Sequence, residues 1–153
     1  MPKILDACCG SRMFWFDKNN PDVIFADNRN LKATLCDGRK LVVNPDIIID
    51  FRNIPFEDNT FDLVVFDPPH LIHAGENSWL AKKYGVLPED WKPYLKAGFD
   101  ECMRVLKPDH TLIMKWNEQQ IRTVDMLKAI NHEPLFGDRR SKTRWLCFMK
   151  GAG

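Results

Sequence analysis

Apolar positions along this chain fall in short unbroken runs rather than alternating with polar ones. Such runs occupy KILDAC (3–8), DVIFAD (22–27), DIIIDF (46–51), FDLVVFD (61–67) and HTLIMKW (110–116). Continuous hydrophobic stretches of this length, bounded by turn residues, suit parallel strands covered on both faces. Two other segments repeat near the helical period. Leu95, Phe99, Cys102, Met103 and Leu106 predict a helix over 91–107, stopped by Pro108. Ile121, Val124, Leu127 and Ile130 predict a second over 117–131, with Asn117 as its N-cap. The stretch GSRMFWFDK (10–18) reads as a turn entering a short helix, and 133–150 as two strands around a basic turn. Between the second and third strands, Asp37-Gly38 inside LKATLCDGRKLVVNP (31–45) signals a small hairpin. Strand and helix thus alternate up to a closing hairpin. The expected class is α/β, a Rossmann-like doubly wound, mostly parallel sheet with a C-terminal antiparallel hairpin.

Composition narrows this picture without redirecting it. The 153 residues suffice for one domain, 1–153, with a real core. A formal net charge of +1 gives no field that advertises a polyanion or a membrane, so any nucleic-acid contact must come from a local patch. No apolar run approaches a membrane span, and no charged-then-apolar leader opens the chain, which predicts a cytoplasmic protein. The five cysteines lack framework spacing and read as reduced thiols. Neither Cys8-Cys9 nor His70/His73 has further ligands placed to complete a site, so no metal is expected.

Candidate chemistry gathers at the strand ends. Asp6, Asp27, Asp50 and Asp67 each lie at or near the end of an apolar run. In open α/β sheets, ligands bind beyond those ends, where the strand order reverses. Any one acid could be a turn residue, but four in register weaken that reading. Gly10 after the first strand lets backbone approach a ligand closely. Neither a Walker phosphate loop nor G-x-G-x-x-G is present. The fourth strand runs into Asp67-Pro68-Pro69-His70, where two prolines remove two donors and stiffen the loop.

These pieces, ILDACCGS, FADNR, IIIDFRNIPFEDNTFDLVVFDPPH and ECMRVLKPDHTLIMKW, follow one another as in class I S-adenosylmethionine-dependent methyltransferases. The D-x-x-x-G-S turn with D-P-P-H most resembles the amino-methyltransferases, which carry [DNS]-P-P-[YFW] and modify adenine or cytosine exocyclic nitrogens. The resemblance implies a minimal class I methyltransferase fold, S-adenosylmethionine as cofactor, and roles by position. Asp6, Ala7, Cys8, Gly10 and Ser11 would cradle the methionine part, Asp27 the ribose hydroxyls, and Asp50 and Phe51 the adenine. Asp67 and the Pro68 carbonyl would accept the two N–H groups of the target amine, Pro69 would hold that carbonyl in place, and His70 would stack on the base. Arg12 stands where a second glycine is frequent, and Pro21 leaves room for only a short helix.

The implied reaction is methylation of a nucleobase amino group, adenine N6 in DNA first and RNA second. A different RNA nitrogen, a protein amide, or an inactive binding subunit are the alternatives. The chain has no room for a separate target-recognition domain, so the expectation is either a protein partner or self-association that supplies recognition, or an unstructured substrate. A lid or substrate loop is expected over 70–94, with Trp79, Lys82, Lys83, Tyr84 and Trp91 combining stacking surface and positive charge. Arg139 and Arg140, with Lys142 and Arg144, are candidate phosphate contacts.

Overall fold

The computed structural model describes residues 1–35, 37–73 and 85–151. Among these described residues, nine strands run β1 Ile4–Asp6, β2 Val23–Asp27, β3 Leu31–Thr34, β4 Lys40–Val43, β5 Ile47–Ile48, β6 Phe61–Phe66, β7 Leu106–Asn117, β8 Phe136–Arg140 and β9 Thr143–Met149. Among the described residues two helices accompany them, α1 Trp91–Val105 and α2 Thr123–Ile130. Seven strands form one sheet in the order β5-β2-β1-β6-β7-β9-β8. From β5 to β7 the pairs are parallel; β9 and β8 close the far edge antiparallel. The expected mostly parallel sheet with a C-terminal hairpin is therefore what the chain builds. The Asp37-Gly38 hairpin is present as a separate pair, β3 with β4, over its own cluster of Leu35, Leu41 and Val43.

One face of the sheet carries the main core. Leu112, Met114 and Trp116 of β7, Val64 and Phe66 of β6, and Leu146 and Phe148 of β9 all point there, against Leu95, Phe99 and Cys102 of α1 and Met126 and Ile130 of α2. Side chains alternate across a strand, so Val65, Ile113 and Trp145 fall on the opposite face. Residues 10–20 lie against that second face, where Trp15 packs with Cys9, Val23 and Phe25.

Three expectations are corrected. The short helix over 10–18 is absent: the segment makes turns, with Arg12 in the left-handed region at φ 61°. Its Phe14, Trp15 and Phe16 belong to a loop laid on the sheet, so their apolar character was mistaken for helical patterning. The second helix begins at Thr123, not Asn117. Asn117 ends β7, and its Oδ1 accepts the Gln119 N–H in a local turn at 2.9 Å. The third strand shrinks to Ile47–Ile48, which pairs only with the end of β2. Of the loop expected over 70–94, residues 91–94 are the first turn of α1, and 74–84, with Trp79, Lys82, Lys83 and Tyr84, lie outside the described residues. No described helix is long and apolar enough to cross a membrane.

Candidate active site

The chain leaves β1 toward β2 on one side and returns to β6 on the other, so the strand order reverses between β1 and β6. A cleft of about 210 Å³ opens at their carboxyl ends, the place an open α/β sheet offers a ligand. The turn after β1 forms one wall with Ala7, Cys8, Gly10 and Ser11. Backbone bonds hold this turn on both sides: Ala7 N donates to the Val65 carbonyl at 3.0 Å, and Cys9 N to the Ala26 carbonyl at 2.7 Å. Gly10 takes φ 51°, a left-handed conformation that costs glycine nothing, and donates its N–H to Asp27 Oδ2 at 2.8 Å. Arg12, in the position where a second glycine is frequent, is a fastener. Its guanidinium lies 4.0 Å over the Phe25 ring and donates to the Lys18 and Asn44 carbonyls at 2.5 and 2.9 Å.

Asp27 lines the cleft from the end of β2, nearly buried, with Oδ1 accepting the Arg29 N–H at 3.0 Å. Phe51 and Ile49 supply the apolar side. The Phe51 ring is wedged between Phe66 at 5.3 Å and Tyr94 at 5.0 Å, and α1 carries Gly98 directly behind it. A Cβ at Gly98 would come within 2.5 Å of the Phe51 ring, so only glycine lets the helix approach this closely.

Two expected cofactor residues stand elsewhere. Asp6 is wholly buried beneath the turn, where its carboxylate accepts the Trp15 indole N–H at 2.7 Å and the Cys8 N–H at 3.3 Å. Burial pushes its pKa up to about 7, against the pull of the Trp15 bond. Asp50 is exposed and spends its carboxylate on Arg52, whose Nη2 lies 2.6 Å from Oδ2. Ala7, Cys8, Gly10, Ser11, Asp27 and Phe51 are thus brought together around the cleft, and Asp6 and Asp50 are not among its lining.

Asp67, Pro68 and Pro69 close the cleft at the end of β6. The Asp67 carboxylate accepts no hydrogen bond from the described residues. Burial pushes its pKa up to about 6; Lys115 pulls it down and Asp27 pushes it further up. Lys115 is a cation on this side, one residue past the Phe66–Met114 pair of β6 and β7 as Asp67 is, its ammonium 5.5 Å from the Phe14 ring centre and 5.8 Å from that of Trp145. His70 does not line the cleft. It is buried edge-on to Trp116, ring centres 6.4 Å apart, and burial, with Lys115 adding to it, lowers its pKa to about 4, so the ring is neutral near pH 7.

Several contributors escaped the sequence reading. Lys115 was signalled only as the one charge inside HTLIMKW. Gln120 accepts the Ile72 and His73 N–H groups on Oε1 at 2.6 and 2.9 Å and donates to the His73 carbonyl at 2.8 Å, tying down the chain after the two prolines. The residue after that segment, Gly85, adopts φ 77° with its α-carbon side against Pro69, and lines the cleft with Val86. Nothing in the sequence pattern marks these. Arg139 and Arg140 lie at the tip of the β8–β9 hairpin, and Asn117 pairs with Thr143, which puts that tip at the same end of the sheet as Asp67. Among the described residues no cluster of three or more metal-ligating side chains occurs.

The donors around the cleft fit S-adenosylmethionine in kind: a permissive glycine turn, a carboxylate beyond β2, and an aromatic wall. No protein-family model matches the sequence, and neither does any curated protein. Solved structures do match in shape. The PH0226 protein of Pyrococcus horikoshii superposes with a TM-score of 0.60 at 16% identity, over 96% of this chain and 81% of that one. A TehB-like SAM-dependent methyltransferase from Corynebacterium glutamicum gives 0.57 at 16%, over 97% and 80%. A SAM-dependent methyltransferase from Leishmania major gives 0.53 at 12%, over 94% and 63%. In fold, this chain is similar to S-adenosylmethionine-dependent methyltransferases.

Proposed function

We propose that the chain is an S-adenosylmethionine-dependent methyltransferase acting on the exocyclic amino group of a nucleobase, adenine N6 in DNA. The observation that carries this reading is Asp67: a half-buried carboxylate at the switch point, lining the cleft, without a hydrogen bond from any described residue, and followed by two prolines. A carboxylate that lines a cleft and is engaged by no described residue is free to accept hydrogen bonds from a ligand. An exocyclic amine fits, because it brings two N–H donors.

When bound, S-adenosylmethionine supplies an electrophilic methyl group. The residues of the chain do the rest. Gly10, Asp27 and Phe51 offer the cradle, the ribose acceptor and the adenine wall. Asp67 accepts one N–H of the target amine and the Pro68 carbonyl accepts the other. With both hydrogens held, the nitrogen lone pair leaves the plane of the base and points into the cleft. Both acceptors favour the positive charge that grows on nitrogen, and Asp67 is placed to take the proton the methylated amine releases. Neither proline carries an N–H that would repel the amine. His70, packed on Trp116, keeps the loop in place.

The test is methyl transfer from isotopically labelled S-adenosylmethionine to duplex DNA, single-stranded DNA and RNA in parallel, with digestion to nucleosides and mass spectrometry. Label on N6 of adenine supports the reading. Label confined to a protein, or to a ring carbon, contradicts it.

A further inference from the structure

On the face of the sheet opposite both described helices lies a second groove of about 420 Å³, within the range of ligand sites. Val65 and Ile113 form its floor, and Phe14, Trp15, Phe16 and Trp145 its walls. Phe16 is fully exposed, at 107% of its reference area, although nothing polar about the ring favours that position. The groove also contains Asp17 and Asn20, and the Asp17 carboxylate is turned back onto the Asn19 N–H at 2.9 Å.

The groove runs into the catalytic end. Val65 lies two residues before Asp67 on the same strand face, and Phe14 lines both this groove and the cofactor cleft. Lys115 sits at the junction against Phe14 and Trp145, without a salt bridge to any described residue. Beyond it stands the hairpin tip. Trp145 faces Asp138 and Thr143 faces Arg140, so Arg140 shares the Trp145 face one pair further on. Arg140 and Lys142 are exposed and paired with no described residue, whereas Arg144 is engaged with Glu118. Exposed aromatic faces beside unpaired cations fit a single polynucleotide strand: bases stack on the rings and phosphates meet the cations.

We propose that this groove seats an unpaired DNA strand beside the target nucleotide, with a flanking base stacked on Phe16 and Trp145 and its phosphates on Lys115, Arg140 and Lys142. The proposal rests on the reading of the cleft as a nucleobase methyltransferase site and names the form of its substrate. A strand entering this way arrives with its bases already apart, so the target adenine needs no extrusion from a duplex.

The test is fluorescence anisotropy of labelled single-stranded DNA, matched duplex DNA and single-stranded RNA with the whole chain, alongside calorimetry of S-adenosylmethionine binding. Single-stranded DNA is expected to bind tightest. Phe16→Ala, at a side chain outside the core, should weaken that binding about tenfold and leave cofactor affinity unchanged. Arg140→Glu with Lys142→Glu should weaken it and flatten its salt dependence. Unchanged affinity in both variants overturns the proposal. So does tighter binding to duplex or RNA, or a concentration-dependent dimer that Phe16→Ala dissolves, since a second copy would then own the groove. The two readings fail separately: adenine methylation indifferent to Phe16→Ala removes the groove alone, and strand binding without any methyl transfer removes the chemistry alone.

Discussion

In the proposed reaction Asp67 is the acceptor, and its neighbours set the pH at which it can act. Burial raises its pKa to about 6, Lys115 opposes this, and Asp27 adds negative charge from β2. The acceptor form is the carboxylate, so kcat/KM should fall as pH drops through about 6. Lys115→Met removes the cation that opposes this rise among the described residues and should move that limb to higher pH, with Lys115→Arg restoring it. An unmoved limb in a pH–rate profile contradicts the assignment. The same residue has a stability signature. A carboxyl whose pKa rises on folding from 3.8 to about 6 keeps its proton longer in the folded state. Stability is therefore lost as pH climbs between those values and stays lost above them. Asp67→Asn escapes this cost. Thermal melts should show the variant gaining on the parent protein from pH 4 to pH 6 by about 2 kcal/mol, with no further gain above. A gain independent of pH would mean that Asp67 is not buried as a charge.

At the scale of elements, α1 matters because it presents Gly98 to Phe51. Gly98→Ala improves helix propensity by about 1 kcal/mol, yet its methyl group meets the Phe51 ring, which Phe66 and Tyr94 confine on other sides. Overpacking of this kind costs about 1–3 kcal/mol. The expected result is a lower melting temperature together with weaker S-adenosylmethionine binding in calorimetry, because the displaced ring lines the cleft. Unchanged cofactor affinity would take Phe51 out of the site. The same scale shows what the sequence could and could not reveal. β2, β6 and β7 were legible because strands buried on both faces must be apolar throughout. The β3–β4 hairpin was legible because Asp37-Gly38 suits few other conformations. Residues 10–18 misled because Phe14, Trp15 and Phe16 follow one another without helical spacing or a strand partner, and only the tertiary position of β2, with Arg12 stacked on Phe25, reveals a loop. The Asp67 loop and Gly10 turn were readable from local backbone demands. Lys115, Tyr94, Gly98 and Gln120 act through contacts between segments far apart in sequence, and one sequence carries no mark of those.

For the whole molecule, the two described helices share one face of the seven-stranded sheet, and loop 10–20 is laid on the other. Such an arrangement leaves an aromatic groove open where further packing could have closed it, and it leads to the same carboxyl edge as the cofactor cleft. The polar residues divide along the same line. Arg104, held by Glu101 within α1, ties the helix to the loop before β6 through the Ile54 and Phe56 carbonyls and Asp58, on the side away from the cleft. Asp27 and Asp67 instead line the cleft, and Asp6 is buried beneath its turn, so that negative charge gathers at this end and raises the pKa values of Asp6 and Asp67. The molecule thus places its cross-links and its unrelieved charge in different regions, and function is read from the second.

The most direct measurement pairs two readings on Asp67→Ala: calorimetric affinity for S-adenosylmethionine, and methyl transfer to adenine in single-stranded DNA. The account predicts cofactor binding within about twofold of the parent protein and transfer reduced to background. Retained transfer, or loss of transfer explained wholly by loss of cofactor binding, would contradict the role given to Asp67.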